Sequence, residues 1–545
     1  NISYICKFIQ PTHLRFHFTK GSRCFILTEI CKLLYRNLSA SCFVGAVFQV
    51  SLKFHTGKHI FSPTRLQAGD SIAVGGVELY FFPANHEEEL RQAERRSRPG
   101  HTVSAAGSLW LLSIFQVLTF MQFLPVCTED YFPKIVLSFA AVGAAGWALY
   151  GLYRAMQRTA YELETLVFFL ITLGIAVMSA YAPSSLFKQL IAIALGIALF
   201  LLLGSALRSL RLAQQLRWPV AAAAAALLAF NVLFGQRIFG AKNWISIGPL
   251  SLQPSELVKI AFILAGAATL DRLFAKRNLI FTVLFSAYCV GCLALMSDFG
   301  TALVFFVAFL CIAFLRTGDL PSIVMMTAAA GFAGGLMLHF KPYIADRFTV
   351  WHHAWEFAQS TGYQQTRTMS AVASGGLFGA GPTDAWLKYV GAANTDLVFG
   401  VVSEEFGLLL ALCAVAAIIL IAVFAITSAA TARSSFYTIA SCAAAAMLTV
   451  QVTLNTLGSV DLLPLTGVTF PFVSMGGSSM LSCWSLMAFL KAADTRQNAS
   501  FALRLPKRRP KTKPEPPKAK PSNGFFDEIP DIPVDEIFGK EDKPE

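Results

Sequence analysis

Phe299-Gly300-Thr301-Ala302-Leu303-Val304-Phe305-Phe306-Val307-Ala308-Phe309-Leu310-Cys311-Ile312-Ala313-Phe314-Leu315 runs from Asp298 to Arg316 without one charge. A helix of about 18 such residues spans most of the ~30 Å hydrocarbon layer of a bilayer. Comparable runs recur along the chain, near 105–126, 134–153, 162–184, 188–206, 218–236, 254–272, 279–297, 321–340, 400–426, 436–458 and 466–490. The 545 residues are 55% apolar and 14% charged, with a mean hydropathy of +0.57. A soluble core does not need so many uninterrupted apolar runs. The sequence therefore predicts an all-α polytopic membrane protein with about twelve transmembrane helices. Only Asp298 separates 279–297 from 299–316, so those two should form a tight hairpin.

The net charge of +12 is not a nucleic-acid signal, because the basic residues fall in alternate loops. They are Arg154 and Arg158; Arg208, Arg211 and Arg217; Arg272, Lys276 and Arg277; Arg316; and Arg433. The stretch Arg91–Arg98 before the first span is basic too, and so is the chain after the last. The positive-inside rule puts all of these in the cytoplasm, with both termini inside and the long loop 341–398 outside. The eleven Cys residues have no metal-ligand spacing and imply no disulfide framework.

Four regions are expected. Residues 1–100 form a cytoplasmic, partly β-rich segment, in which Thr64–Phe81 reads as strand, turn, strand with turn signals at Gly69-Asp70 and Gly75-Gly76. That segment resembles the last strands of a forkhead-associated domain, a phosphothreonine-binding sandwich, over about thirty residues. Residues 101–160 hold two helices, and 161–492 hold about ten helices and the long loop. Residues 493–545 are basic and Pro-rich at first and acidic at the end, the composition of a disordered cytoplasmic tail. Its basic half suits anionic lipid at the inner leaflet, or serves as a solvated tether.

Three constellations carry chemistry. Gly240–Lys259 contains Lys242 and then Gln253-Pro254-Ser255-Glu256, with Lys259 one turn beyond Glu256. Pro254 suits the first position of a helix, and Glu256 suits its positive end. Glu256 and Lys259 either pair with each other or face a polar cavity. In the second, Tyr363-Gln364-Gln365 leads to Ser374-Gly375-Gly376-Leu377-Phe378-Gly379-Ala380-Gly381, whose glycines permit close approach to a ligand. The third, Asn455 to Ser479, breaks an apolar stretch with Pro, Gly and hydroxyl residues, including Ser474 and Ser478. Irregular backbone at membrane depth must be buried in protein or line a cavity. Between the last two constellations lies Asn394-Thr395-Asp396-Leu397-Val398-Phe399, with Glu404-Glu405 following. A carboxylate at the lip of a bilayer is costly and usually functional.

Taken in order, these blocks closely resemble the SEDS family, the FtsW/RodA/SpoVE-type proteins of bacterial cell-wall synthesis, over about residues 161–492. The family core has ten spans, which leaves the first two helices as an extension, and the chemistry is expected to begin near residue 161. Two departures leave the subfamily open. Leu397 stands where the family usually has Phe, and Gly391-Ala392-Ala393-Asn394 replaces a commoner acidic or His-containing run. The resemblance implies a multi-pass protein of the bacterial cytoplasmic membrane that polymerises lipid II into glycan strands at the outer face. It also implies a class B penicillin-binding protein, the transpeptidase, as partner, and cytoplasmic division or elongation proteins reached through the termini. The family's essential loop aspartate falls on Asp396.

Such a transfer needs a base for the acceptor hydroxyl, an exposed anomeric carbon and cations for the diphosphate leaving group. Asp396 is the expected base. Lys242, Lys259 and Arg347 are expected near the diphosphate. Glu256, Gln364, Ser374, Ser474 and Ser478 complete the expected substrate-binding set. A divalent cation, Mg or Mn, with Glu404 as a ligand, suits an oxygen-only site. Two rival readings are a lipid II transporter and a non-catalytic scaffold for wall enzymes. The first lacks a visible internal repeat. The second has no need of a carboxylate at the mouth of a polar cavity.

Overall fold

The computed structural model describes residues 16–18, 53–54, 71–74, 77–83, 104–125, 129–238, 241–247, 250–270, 276–340, 347–382, 384–496 and 498–503. Near the amino terminus, β1 (Phe16–Phe18), β2 (Lys53–Phe54), β3 (Ser71–Val74) and β4 (Val77–Pro83) form one sheet in the order β1-β4-β3-β2. Strands β3 and β4 are an antiparallel hairpin pairing Ser71 with Tyr80 and Val74 with Val77, in line with the strand-turn-strand reading. The forkhead-associated phosphopeptide loops would fall largely outside the described residues.

The rest is helical. Helices α1 (Ala105–Met121), α2 (Phe132–Ala155), α3 (Glu162–Tyr181), α4 (Leu186–Ala206) and α5 (Leu210–Phe234) come first. A small antiparallel sheet follows, made of β5 (Gln236–Ile238), β6 (Ala241–Ile247) and β7 (Leu250–Leu252). Then come α6 (Pro254–Leu270), α7 (Lys276–Leu295), α8 (Phe299–Thr317), α9 (Leu320–Phe340) and the loop helix α10 (Tyr363–Gly375). The chain continues through α11 (Val398–Phe406), α12 (Leu408–Ala429), α13 (Ser435–Ser459) and α14 (Gly477–Ala493). Among the described residues, seven helices are at once long and apolar enough to cross a membrane: α2, α3, α4, α5, α8, α12 and α13. Spans α3 and α13 are the most buried and form the centre of the bundle.

Every window read as a span contains helix, with three corrections. The span 218–236 starts earlier, at Leu210, and runs through Pro219; its basic first turns read as loop. The span 400–426 is two helices broken at Gly407, which has φ +92°. A side chain there would be strained, and a Cβ would meet the carbonyl of Leu377. The span 466–490 is helical only from Gly477; Thr466 to Gly476 is irregular and packs inside the bundle. The β5–β7 sheet was not visible in the sequence.

The expected tail also begins later than residue 493. Residues 494–503 lie as a strap across the helix ends, with Ala499, Ser500, Phe501 and Ala502 at most 1% exposed. Phe501 sits between Tyr153 and Phe200, at ring distances of 5.5 and 5.1 Å. Basic side chains grip the strap's carbonyls: Arg158 Nη2 donates to Leu503 O at 2.5 Å, Arg208 Nε to Phe501 O at 2.9 Å, and Arg433 Nη2 to Ala502 O at 3.5 Å. Beneath it, Lys491 Nζ and Glu164 Oε2 form a fully buried pair at 2.9 Å. The Tyr153 hydroxyl donates to the other Glu164 oxygen at 2.7 Å. Residues 504–545 lie outside the described residues.

Candidate active site

At the end of the bundle opposite the strap, the segment 391–397 docks onto the irregular loop 460–476. Asn455, in the last turns of α13, is the clamp. Its Nδ2 donates to Asp396 O at 2.9 Å, Val468 O at 2.8 Å and Thr395 O at 3.4 Å. Ser474 accepts from Phe470 N and donates to Thr395 O at 2.6 Å. Met475 N donates to Asn394 O at 2.9 Å. These bonds answer the question that the broken apolar stretch posed. The loop at membrane depth satisfies its backbone against the segment that carries Asp396.

The Asp396 carboxylate is half-buried. Burial pushes its pKa up to about 6, and the nearby Asp298 adds to the rise, while a hydrogen bond from Thr395 and the charge of Arg347 oppose it. Asp298 caps the amino terminus of α8, accepting from Thr301 N at 3.2 Å. Its other oxygen accepts from Asn243 Nδ2 at 2.9 Å and Gln253 Nε2 at 3.3 Å. Ser478 ties in the same elements by accepting from Gln253 N at 3.1 Å. Arg347 Nη1 donates to Leu465 O at 2.8 Å, which holds this guanidinium over the irregular loop.

Other expected residues are engaged elsewhere. Lys242 Nζ donates to Val232 O at 2.7 Å and Leu233 O at 3.0 Å. It caps the carboxy-terminal end of α5, where orphan carbonyls and the helix dipole attract a cation. Lys259 pairs with Glu256 at 2.7 Å with both side chains almost completely buried, so that motif is an internal ion pair. Gln364 Nε2 donates to Gly391 O at 3.0 Å and steadies the start of the Asp396 segment. Ser374 is exposed and its hydroxyl turns back to Ala371 O.

Glu404 does not fit the expected metal site. Its two oxygens accept from Trp386 N at 2.9 Å and Leu387 N at 3.0 Å, capping the short 3-10 helix Leu387–Tyr389. Among the described residues, no three His, Cys, Asp or Glu side chains converge as a metal-binding group. Two glycines of the glycine-rich stretch approach protein, while Gly376 and Gly381 have open space beside them and Leu377 and Phe378 are exposed. A Cβ at Gly375 or Gly379 would meet the backbone of Ser403 or Glu405 within 2.3 Å, so their close approach is to α11 and not to a ligand. The sequence reading missed Asn455 and Asp298 as parts of this site. Asn455 lies at the start of the third constellation, but an Asn in an apolar run does not reveal which backbone it will hold.

Comparisons with known proteins converge on this region. Residues 155–499 match the FtsW/RodA/SpoVE family, described as cell cycle proteins. The chain is 31% identical to the probable peptidoglycan glycosyltransferase FtsW of Coxiella burnetii, over 50% of this chain and 76% of the relative. It is 28% identical to the FtsW counterpart in Saccharophagus degradans, over 63% of this chain and 94% of the relative. Among solved structures, it is similar to a chain from a peptidoglycan synthase complex studied for its coordination of polymerization and crosslinking. That likeness has a TM-score of 0.53 at 27% identity and covers 62% of this chain and 98% of the other.

Proposed function

Because this chain belongs to the FtsW/RodA/SpoVE family and is a peptidoglycan glycosyltransferase, we propose that it polymerises lipid II with Asp396 as general base. The observation that carries this is the environment of Asp396: a half-buried carboxylate with a pKa of about 6, fixed by Asn455 and Ser474 through its backbone and that of Thr395. Such a base is ionised at neutral pH and still basic enough to take a proton. Asp396 removes the proton from the acceptor GlcNAc 4-hydroxyl, and the oxygen attacks the donor MurNAc anomeric carbon. The bond from that carbon to the diphosphate breaks, and undecaprenyl diphosphate leaves. Arg347, whose charge acts on Asp396, is the cation assigned to the departing diphosphate, whereas Lys259 is buried in its pair with Glu256. A divalent cation, Mg or Mn, would supply further positive charge to the diphosphate, and Glu404 is not placed to hold it. A class B penicillin-binding protein is the proposed partner, supported by the likeness to a synthase complex.

Asp396→Asn keeps the size and removes the base. Polymerisation of lipid II by the purified protein, with Mg or Mn present, should fall at least ~100-fold. Near-normal glycan chains from this variant would remove Asp396 from the mechanism.

The proposed sidedness puts this site outside the cytoplasmic membrane and both termini inside. The basic residues gathered at the strap end support it. Single cysteines replacing Tyr389, which is 82% exposed, and Lys520 test this in a cysteine-free background. An impermeant thiol reagent on intact cells should label the first and spare the second, and the reverse pattern sinks the topology.

A further inference from the structure

The family match starts at residue 155, so α1 and all but the last residue of α2 lie upstream of it. The structure nevertheless builds them into the core. Gln116 Nε2 of α1 donates to Thr172 Oγ1 of α3 at 3.1 Å, both buried. The Tyr161 hydroxyl donates to Gly146 O of α2 at 2.7 Å, and Tyr153 of α2 donates to Glu164 of α3. Just past α1, Phe123 is 1% exposed. Its ring lies 6.2 Å from that of Phe139 in α2 and 6.3 Å from that of Phe406, the last residue of α11.

Helix α11 is the element most exposed to the consequences. It starts two residues after Asp396, all nine of its residues are buried, and it ends at the Gly407 break. Glu404 and Glu405 anchor the site's outer segments: Ala380 N donates to Glu404 O at 2.8 Å, Gly381 N to Glu405 O at 3.1 Å, and the Glu404 carboxylate holds Trp386 and Leu387. A helix this short has little stability of its own, so its neighbours set its position.

We propose that Phe123 is a positioning residue for glycosyl transfer: the α1–α2 pair, through this ring on Phe406, fixes α11 and with it the stance of Asp396. This rests on the reading of Asp396 as the base. It also makes α1 and α2 part of the catalytic unit, against the sequence-based expectation that the chemistry begins near residue 161. Removing the ring leaves space at one end of α11, and a displacement of ~1 Å at a reacting group costs on the order of 10- to 100-fold in rate.

The test uses the purified full chain and lipid II, comparing Phe123→Ala, Phe123→Leu and Asp396→Asn with the parent. Phe123→Ala should lower kcat at least ~10-fold with KM within about twofold. It should also move the acid limb of the pH profile, because Thr395, Arg347 and Asp298 no longer face the carboxylate in the same way. Phe123→Leu should restore most of both. An unchanged kcat, or a lowered kcat with an unmoved limb or no rescue by Leu, overturns the proposal. If Phe123→Ala does not fold, Phe123→Val is judged by the same two measures. An active Asp396→Asn protein sinks the base reading itself, whereas an inactive one beside a normal Phe123→Ala sinks only the brace.

Discussion

At the residue scale, Asp396 combines a poor place to keep a charge with a firm hold on its backbone. Its raised pKa fixes the sign of two pH effects. As a base it works only when ionised, so kcat/KM should rise with pH up to about 6 and then level off, and Asp396→Asn should lack that limb. For stability the sense is opposite. A carboxyl whose pKa rises on folding contributes stability below its ordinary value of about 3.9, and this is lost as pH rises through about 6. At pH 7.5 the ionised side chain is a net cost, so the Asn variant should melt no lower than the parent in a thermal scan. A drop in melting temperature would mean that Thr395 and Arg347 outweigh the cost of burying the carboxylate. The identity of Asp396 was legible in the sequence because, of the four acids in the loop 341–398, it is the one beside an apolar run within a known order of motifs. Its surroundings were not: the amide clamp from Asn455 and the proximity of Asp298 arise from helices that are distant in sequence and meet only in the fold.

At the element scale, apolar run length gave the helices, because a span needs a certain number of residues whatever it packs against. The breaks were less legible. Gly407 ends α11 where composition reads as one continuous span, and the reason is a backbone angle that only the fold imposes. The Glu256–Lys259 pair in α6 shows the limit from another side. One-turn spacing on a helix allowed both a salt bridge and a ligand site, and the structure takes the salt bridge, with 2–4% of each side chain exposed. Breaking a buried pair strands a charge, so Lys259→Met should destabilise the folded protein by ~3–5 kcal/mol. The double change Glu256→Gln with Lys259→Met should recover most of that loss. Thermal unfolding in detergent measures both, and a double variant as unstable as the single one would show that the loss does not come from a stranded Glu256.

At the scale of the whole molecule, the two ends of the bundle are secured differently. The catalytic end relies on loop-to-loop hydrogen bonds, and the opposite end on buried charge and the strap 494–503. The strap was hidden in the sequence by its polar composition. Arg496 reads as part of a solvated tail, yet it holds Glu162 at 3.1 Å and Asp494 at 3.0 Å while Phe501 fills the space below. Compared with a chain ending at Leu503, one ending at Ala493 should lose at least ~3 kcal/mol through the exposed Phe501 site and the orphaned Arg contacts. Equal melting of the two would show the strap to be dispensable. The same arrangement bears on how the protein is made. Lys491, the counter-charge of Glu164, leaves the ribosome more than three hundred residues after it. During that interval a nascent chain carries Glu164 without its counter-charge, and an ion pair lacking one partner is costly to bury. The emergence of α14, which brings Lys491 to Glu164, is then also the event that completes this pair.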